Sequence, residues 1–184
     1  MKLCIGNSRL VLVFPLLGFV IKFPKINLKP IYDLVRDVLL NRWKNQEMLW
    51  SLPIDIDFSP RHKLYGGIYE NWFEWKAWRK THYKLLCPTW FSFFGLFNIQ
   101  KYGAALKSDQ VDMKKAINKV TNGDSCHSHS HGFDGAENYC ERSGHIQMID
   151  YGTRRLWPVI KKYNQEIVRL TVQDCQKEQA TTDG

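Results

Sequence analysis

Two absences set the first limits on this chain. No two of its cysteines stand in a C-x-x-C arrangement, because the five, at 4, 87, 126, 140 and 175, are scattered and odd in number. That speaks against a disulfide framework and a paired-cysteine zinc finger, and the thiols are read as free in a reducing cytosol. Nor is there an uninterrupted apolar run long enough to cross a bilayer. Residues 10–23 are broken by Pro15 and Gly18 and carry Lys22, and no A-x-A cleavage site follows them. The Val and Ile content of this stretch predicts a β-hairpin, 9–14 and 19–23, turning at 16–18, in a cytoplasmic protein with no membrane span.

What is present points towards an anion. The 184 residues suffice for one domain, or for two small lobes sharing a cleft. A net charge of +8 and a pI near 9.3 suit nucleotide, nucleic acid or a membrane surface, and charge alone does not choose among them. A solvated basic surface is the plain alternative.

The residues that carry chemistry gather between 129 and 152, HSHGFDGAENYCERSGHIQMIDYG. The stretch opens as a His-rich loop, offers Asn138, turns at Ser143-Gly144, runs into an apolar strand at 145–149 and ends on Asp150-Tyr151-Gly152. A hairpin here folds the amide oxygen of Asn138 and the carboxylate of Asp150 to the same end of the sheet. One neutral and one charged hard oxygen can hold Mg²⁺ while substrate phosphates complete its shell. Cys126, His127, His129 and His131 form a rival constellation, since alternating ligands in a loop can bind Zn²⁺ or Ni²⁺. A second Cys/His cluster with finger spacing, on which they would converge, is missing from the sequence.

At these residues the chain resembles the protein-kinase-like superfamily, most closely the compact kinase-like proteins of tailed phages. Asp150-Tyr151-Gly152 looks like a DFG element, and His131 to Asn138 looks like the catalytic loop H-R-D-x-x-x-x-N. The position of the catalytic Asp holds Phe133, and the nearest acid, Asp134, is one residue late. Upstream, Phe19-Val20-Ile21-Lys22 resembles the V-A-I-K strand, whose Lys pairs with nucleotide phosphates and a helix Glu. Gly6-Asn7-Ser8-Arg9 stands where a glycine-rich phosphate loop would, with one glycine. A helix expected over 68–82, after Gly66-Gly67, is αC-like, and its Asn71 and Glu74 make Glu74 the implied partner of Lys22. Trp72, Trp75 and Trp78 read as packing groups on that helix. Glu70 and Glu74 share another of its faces, and the plain reading is that both are solvated.

The resemblance implies an α+β, two-lobed, protein-kinase-like fold with an antiparallel N-lobe sheet and a minimal C-lobe. The N-lobe would take 1–103, with 30–60 inserted, the C-lobe 104–175, and a disordered tail the rest. Within the insertion, 30–44 has a helical period and reads as a packed accessory helix, and 52–58 as an edge strand or linker. Two strands are expected in 85–99, a hinge at 100–103, and helices at 109–120 and 157–174. ATP and Mg²⁺ are the implied cofactors, with Lys22 and Glu74 for the nucleotide, Asn138 and Asp150 for the metal, and His131 and Asp134 in the catalytic loop.

No A-P-E element and no long helical region follow the DYG, so the usual platform for a protein substrate is not encoded and the phosphoacceptor stays open. The implied function is a divergent phosphotransferase, or a pseudokinase that uses nucleotide binding as a switch. Two alternatives stand beside it. One is a basic module whose aromatics and Lys/Arg contact nucleic acid or a host protein, and the other is a metal-dependent hydrolase that uses the His loop without ATP.

Overall fold

A computed structural model describes residues 1–6, 8–40, 43–54, 59–106, 111–124 and 135–176. The fold is mixed α+β, with a five-stranded antiparallel sheet and a small second sheet. Two compact units divide the chain: Met1–Lys80 with Pro88–Tyr102, and Thr81–Cys87 with Gly103–Gly184.

The first unit holds the larger sheet, from β1 (Lys2–Ile5), β2 (Arg9–Phe14), β3 (Phe19–Pro24), β4 (Thr89–Ser92) and β5 (Asn98–Lys101), in the order β1-β2-β3-β5-β4. The run 10–23 is the expected hairpin. Pro15–Leu17 makes one 3-10 turn ending at Gly18, and the register sets Val13 against Val20 and Val11 against Lys22. Alternation along β3 then buries Val20 and Lys22 on one side of the sheet. β5 takes in Gln100 and Lys101, which were expected in a hinge; Gln100 pairs with Val20 and is buried.

Against that face lies α3 (Pro60–Thr81), which starts at Pro60 and runs through the glycine pair expected to precede it. Glycine costs a helix interior about 1 kcal/mol relative to alanine, so a contact must offset it. At Gly67 the helix backbone seats against the sheet, where a Cβ would overlap the Ser8 carbonyl oxygen and come within 2.9 Å of Pro24. Asn71 fastens the next turn, donating from Nδ2 to the carbonyls of Lys22 (3.2 Å) and Gly95 (3.0 Å). Asn98 donates to the Asn71 carbonyl at 2.7 Å.

The insertion departs from its expected form. A helix, α1 (Lys29–Leu39), ends before a second, α2 (Trp43–Ser51), where one helix over 30–44 was expected. Nor is α1 packed along its apolar stripe: Val35 and Val38 are exposed and Leu39 is 79% exposed. Helical periodicity reports that a stripe exists and not that anything covers it. No strand forms at 52–54, and 55–58 lie outside the described residues.

In the second unit, β6 (Ala104–Ala105), β7 (Tyr139–Arg142) and β8 (His145–Met148) form the small sheet in that order. Residues 85–87 join it as a buried segment: Met148 donates to Leu85 (2.7 Å) and Cys87 to Met148 (2.9 Å). Of the two strands expected in 85–99, the first therefore begins only at Thr89. Two helices, α4 (Met113–Thr121) and α5 (Trp157–Ile167), contribute Ile117, Ile160 and Ile167 to a core shared with Tyr139, Ile146 and Met148. The Asp112 carboxylate caps α4, accepting from Lys115 N at 2.9 Å.

The α5 helix stops at Ile167, short of the expected 174. After it Leu170 N donates to the Ile167 carbonyl (3.1 Å), the Leu170 carbonyl accepts from Ile146 N (3.3 Å), and farther on Asp174 Oδ2 accepts from Thr171 N (2.8 Å) and Oγ1 (2.7 Å) in a separate local turn. Beyond it, burial pushes the Cys175 thiol up to about 11. Gln176 bridges to Val111, and the rest of the expected tail, 177–184, lies outside the described residues. Among the described residues no helix is long and apolar enough to cross a membrane.

Gly67→Ala tests the helix seating. The close approach is to backbone, which cannot swing aside, so the variant should lose about 1–3 kcal/mol in urea unfolding. Unchanged or raised stability, the result that helix propensity alone would give, would refute the contact.

Candidate functional site

Of the sequence-predicted residues, the four that are described, Lys22, Glu74, Asn138 and Asp150, fall into two groups, one in each unit. In the first unit Lys22 projects from β3 and Glu74 from α3, and they meet. Lys22 Nζ lies 3.1 Å from Glu74 Oε1 and 3.0 Å from Oε2. Both are buried, Glu74 at 0% exposure and Lys22 at 5%, so the solvated reading of Glu74 does not hold.

A second cation shares the carboxylate. Arg9 NH1 donates to Glu74 Oε1 at 2.7 Å, and Arg9 Nε stands 3.5 Å from Glu70 Oε2. Glu70 also accepts from Ser8 Oγ at 2.6 Å and has His62 Nε2 3.9 Å from its other oxygen. Two guanidinium or ammonium groups thus face two carboxylates in a dry layer between α3 and the sheet. The pairing is what makes burial tolerable, since an isolated charge there would cost several kcal/mol or more.

Sequence reasoning placed Lys22 and Glu74 but passed over Arg9, Ser8 and Glu70 as members of this network. The signal for Arg9 lay in the hairpin register. If the turn is at 15–18, Val11 faces Lys22, and Arg9, two residues back, falls on the same face of the sheet. Ser8 and Glu70 carried no comparable signal.

In the second unit the β7–β8 hairpin positions the proposed metal ligands. Tyr139 pairs with Met148, and Ile149 N donates to the Asn138 carbonyl at 2.8 Å. Asn138, buried at the end of a single 3-10 turn, and half-buried Asp150 therefore lie at the same end of the hairpin. Tyr151 is fully buried, and its hydroxyl donates to the Cys87 carbonyl at 2.7 Å, which anchors the residue after Asp150 to the segment beside β8.

The donors fit a hard cation: an amide oxygen and a carboxylate suit Mg²⁺, which takes one or two protein oxygens and completes its shell with water and phosphate. Among the described residues no group of three or more His, Cys, Asp or Glu could hold a metal ion alone. His131 and Asp134, the expected catalytic pair, lie outside the described residues, as do Phe133 and the rival ligands Cys126, His127 and His129.

The network makes an asymmetric prediction about stability. Glu74→Ala leaves Arg9 and Lys22 buried beside each other and should cost about 3–5 kcal/mol. Lys22→Met leaves Glu74 paired with Arg9 and should cost clearly less, as read by denaturant unfolding. Equal losses, or a Glu74→Ala variant as stable as the wild type, would mean that the charges are not sharing one dry site.

Comparison with known proteins assigns nothing further to this geometry, since no protein-family model, no curated protein and no solved structure matches the chain.

Proposed function

We propose that the chain is a compact member of the protein-kinase-like superfamily, with that family's two-lobed fold, and that it binds ATP with Mg²⁺. Lys22 would meet phosphate oxygens, Glu74 would hold the Lys22 ammonium in place, and Asn138 and Asp150 would hold the metal. When bound, Mg²⁺ would neutralise charge on the phosphates.

The observation that carries this reading is the Lys22–Glu74 pair, a strand lysine bonded to both oxygens of a helix glutamate. In protein kinases a strand lysine pairs with the nucleotide phosphates and with a helix glutamate, and that ion pair must be in place for phosphoryl transfer. Stability alone does not call for it, because a buried pair roughly breaks even against well-packed apolar residues. A cation held ready for an anion accounts for the placement. Arg9 adds support, because it keeps Glu74 paired whenever Lys22 turns towards a phosphate.

Turnover is a separate matter, decided by Phe133. In the family's register that position supplies the carboxylate that orients the acceptor hydroxyl, and a phenyl ring can neither orient a hydroxyl nor take its proton. The reading is therefore a binding protein with slow or absent transfer, a pseudokinase or divergent phosphotransferase. Asp134, flanked by Gly132 and Gly135, is the nearest carboxylate available to substitute.

Thermal melting tests the binding. Mg·ATP at about 100 times its dissociation constant should stabilise the fold by roughly 2.7 kcal/mol. Lys22→Met should weaken the shift, and Asp150→Asn should remove its magnesium dependence. A wild-type melt that ignores millimolar Mg·ATP would sink the proposal.

Transfer from labelled ATP tests the chemistry. Wild type should transfer little, Asp134→Asn less, and Phe133→Asp more than wild type. Brisk wild-type transfer that survives Asp134→Asn would refute the roles given to both residues.

A further inference from the structure

Two purines share one ring frame and differ only in the donors and acceptors along their edges. Adenine sets an amino donor beside a ring acceptor, so a protein that selects it must meet that pair with an acceptor and a donor. A carbonyl alone does not select, because it accepts from the amino group of adenine and of guanine alike. The selecting group is a donor held in place, and the backbone offers one N–H per residue. Where the N–H groups around Lys22 are bonded therefore bears on which nucleotide the site takes.

Phosphates at Lys22 would leave the rest of a nucleotide to run along β3 towards one end or the other. Towards the 15–18 turn, Gly18 N donates to the Pro15 carbonyl at 3.2 Å and Tyr102 N to the Gly18 carbonyl at 2.9 Å. Lys101 N donates to the Pro88 carbonyl at 2.8 Å. Gln100 is 1% exposed, and its side-chain amide donates to Thr89 Oγ1 at 3.2 Å. Three of the four residues expected in a hinge are thus drawn against the sheet, with these donors bonded inside the first unit.

The other end of β3 is bonded in the same way. Lys25 N donates to the Ser8 carbonyl at 2.7 Å and Gly6 N to the Arg9 carbonyl at 2.8 Å, while Pro24 has no N–H to offer. Ser8 Oγ is bonded to Glu70, and Asn7 lies outside the described residues. Beside Lys22, the Asn71 and Asn98 side chains hold acceptor oxygens that meet no donor, but both residues are 0% exposed and their amide nitrogens are bonded to backbone carbonyls. Lys25 and Lys101 carry ammonium groups on flexible stems, point charges better suited to a phosphate than to the edge of a base.

Resting on the nucleotide reading above, we propose that the site takes purine nucleoside triphosphates without reading the base. The phosphates and the metal carry the binding, and ATP and GTP are equivalent ligands. Magnitudes make the distinction sharp. A site that pairs polar groups with its substrate rejects an analogue lacking them by about 10⁴–10⁵-fold, whereas apolar contact separates near-isosteres by far less. With the backbone donors at both ends of β3 engaged, only the weaker kind of discrimination is left to the first unit.

The test is calorimetric titration of the full chain with Mg·ATP, Mg·GTP and adenosine. ATP and GTP should bind within about ten-fold of each other, and adenosine, which lacks the phosphates, at least about a hundred-fold more weakly than either. Lys22→Met should weaken both nucleotides by the same factor, because the group it removes meets only what they share. A preference for either nucleotide beyond about ten-fold overturns the proposal and leaves the nucleotide reading standing. Adenosine binding closer to ATP than that, or a Lys22→Met loss confined to one nucleotide, does the same. If neither nucleotide binds, the nucleotide reading falls and this inference falls with it.

Discussion

The Glu74 carboxylate is the constraint on which the first unit depends. It is fully buried, takes bonds from Lys22 on β3 and Arg9 on β2, and so ties α3 to two adjacent strands at once. A carboxylate in that position cannot be left half-satisfied, because in a low dielectric an unmatched charge costs more than most packing defects. The local choices around it follow from this demand. Gly67 lets the helix come close enough, and Asn71 and Asn98 close the neighbouring backbone carbonyls. Ser8 and Arg9 hold Glu70 one turn earlier. The sheet face under α3 is polar for the same reason, with Asn98, Gln100 and Thr89 buried beside Lys22.

How much of this the sequence discloses depends on the range of the interaction concerned. The β2–β3 hairpin and the β7–β8 hairpin are local, set by alternation and by turns at 15–18 and 143–144, and both are plain in the residues. Lys22 and Glu74 could be paired because a motif names both ends of a contact that spans 52 residues. Where no motif speaks, long-range effects override local signals. The pair Gly66-Gly67 reads as a helix breaker, yet α3 continues through it because Ser8, far away in sequence, needs the missing Cβ. The apolar residues of 30–44 promise burial, yet the α1 stripe is exposed. Trp157 onwards promises one long helix, yet α5 ends at Ile167 and the Leu170 carbonyl is bonded by Ile146 of β8 instead.

The two sets of proposed ligands differ in how strongly their surroundings hold them. Lys22 and Glu74 are fixed by a dry network of several charges, so losing one member disturbs the rest. Asn138 and Asp150 are placed by backbone pairing and by the buried Tyr151, whose hydroxyl reaches the Cys87 carbonyl. A tyrosine between the acid and the glycine has a structural reason here that a phenylalanine could not supply, because it satisfies a buried carbonyl. Substitution at Glu74 therefore mixes any effect on ligand binding with an effect on the fold.

That difference also explains why the aromatic face of α3 stands apart from the charged one. A helix that turns both of its acids inward is left with cations and aromatics outside, so the same sequence choice that builds the buried network also creates a cationic outer surface. The hairpin between β4 and β5 sets the Phe94 backbone, because Leu96 N donates to the Phe93 carbonyl at 2.8 Å across two residues of positive φ and Asn71 holds the Gly95 carbonyl at 3.0 Å. Folding thus accounts both for where the charges went and for the backbone of the turn that carries Phe94, since the same Asn71 that fastens α3 to β3 also fastens that turn.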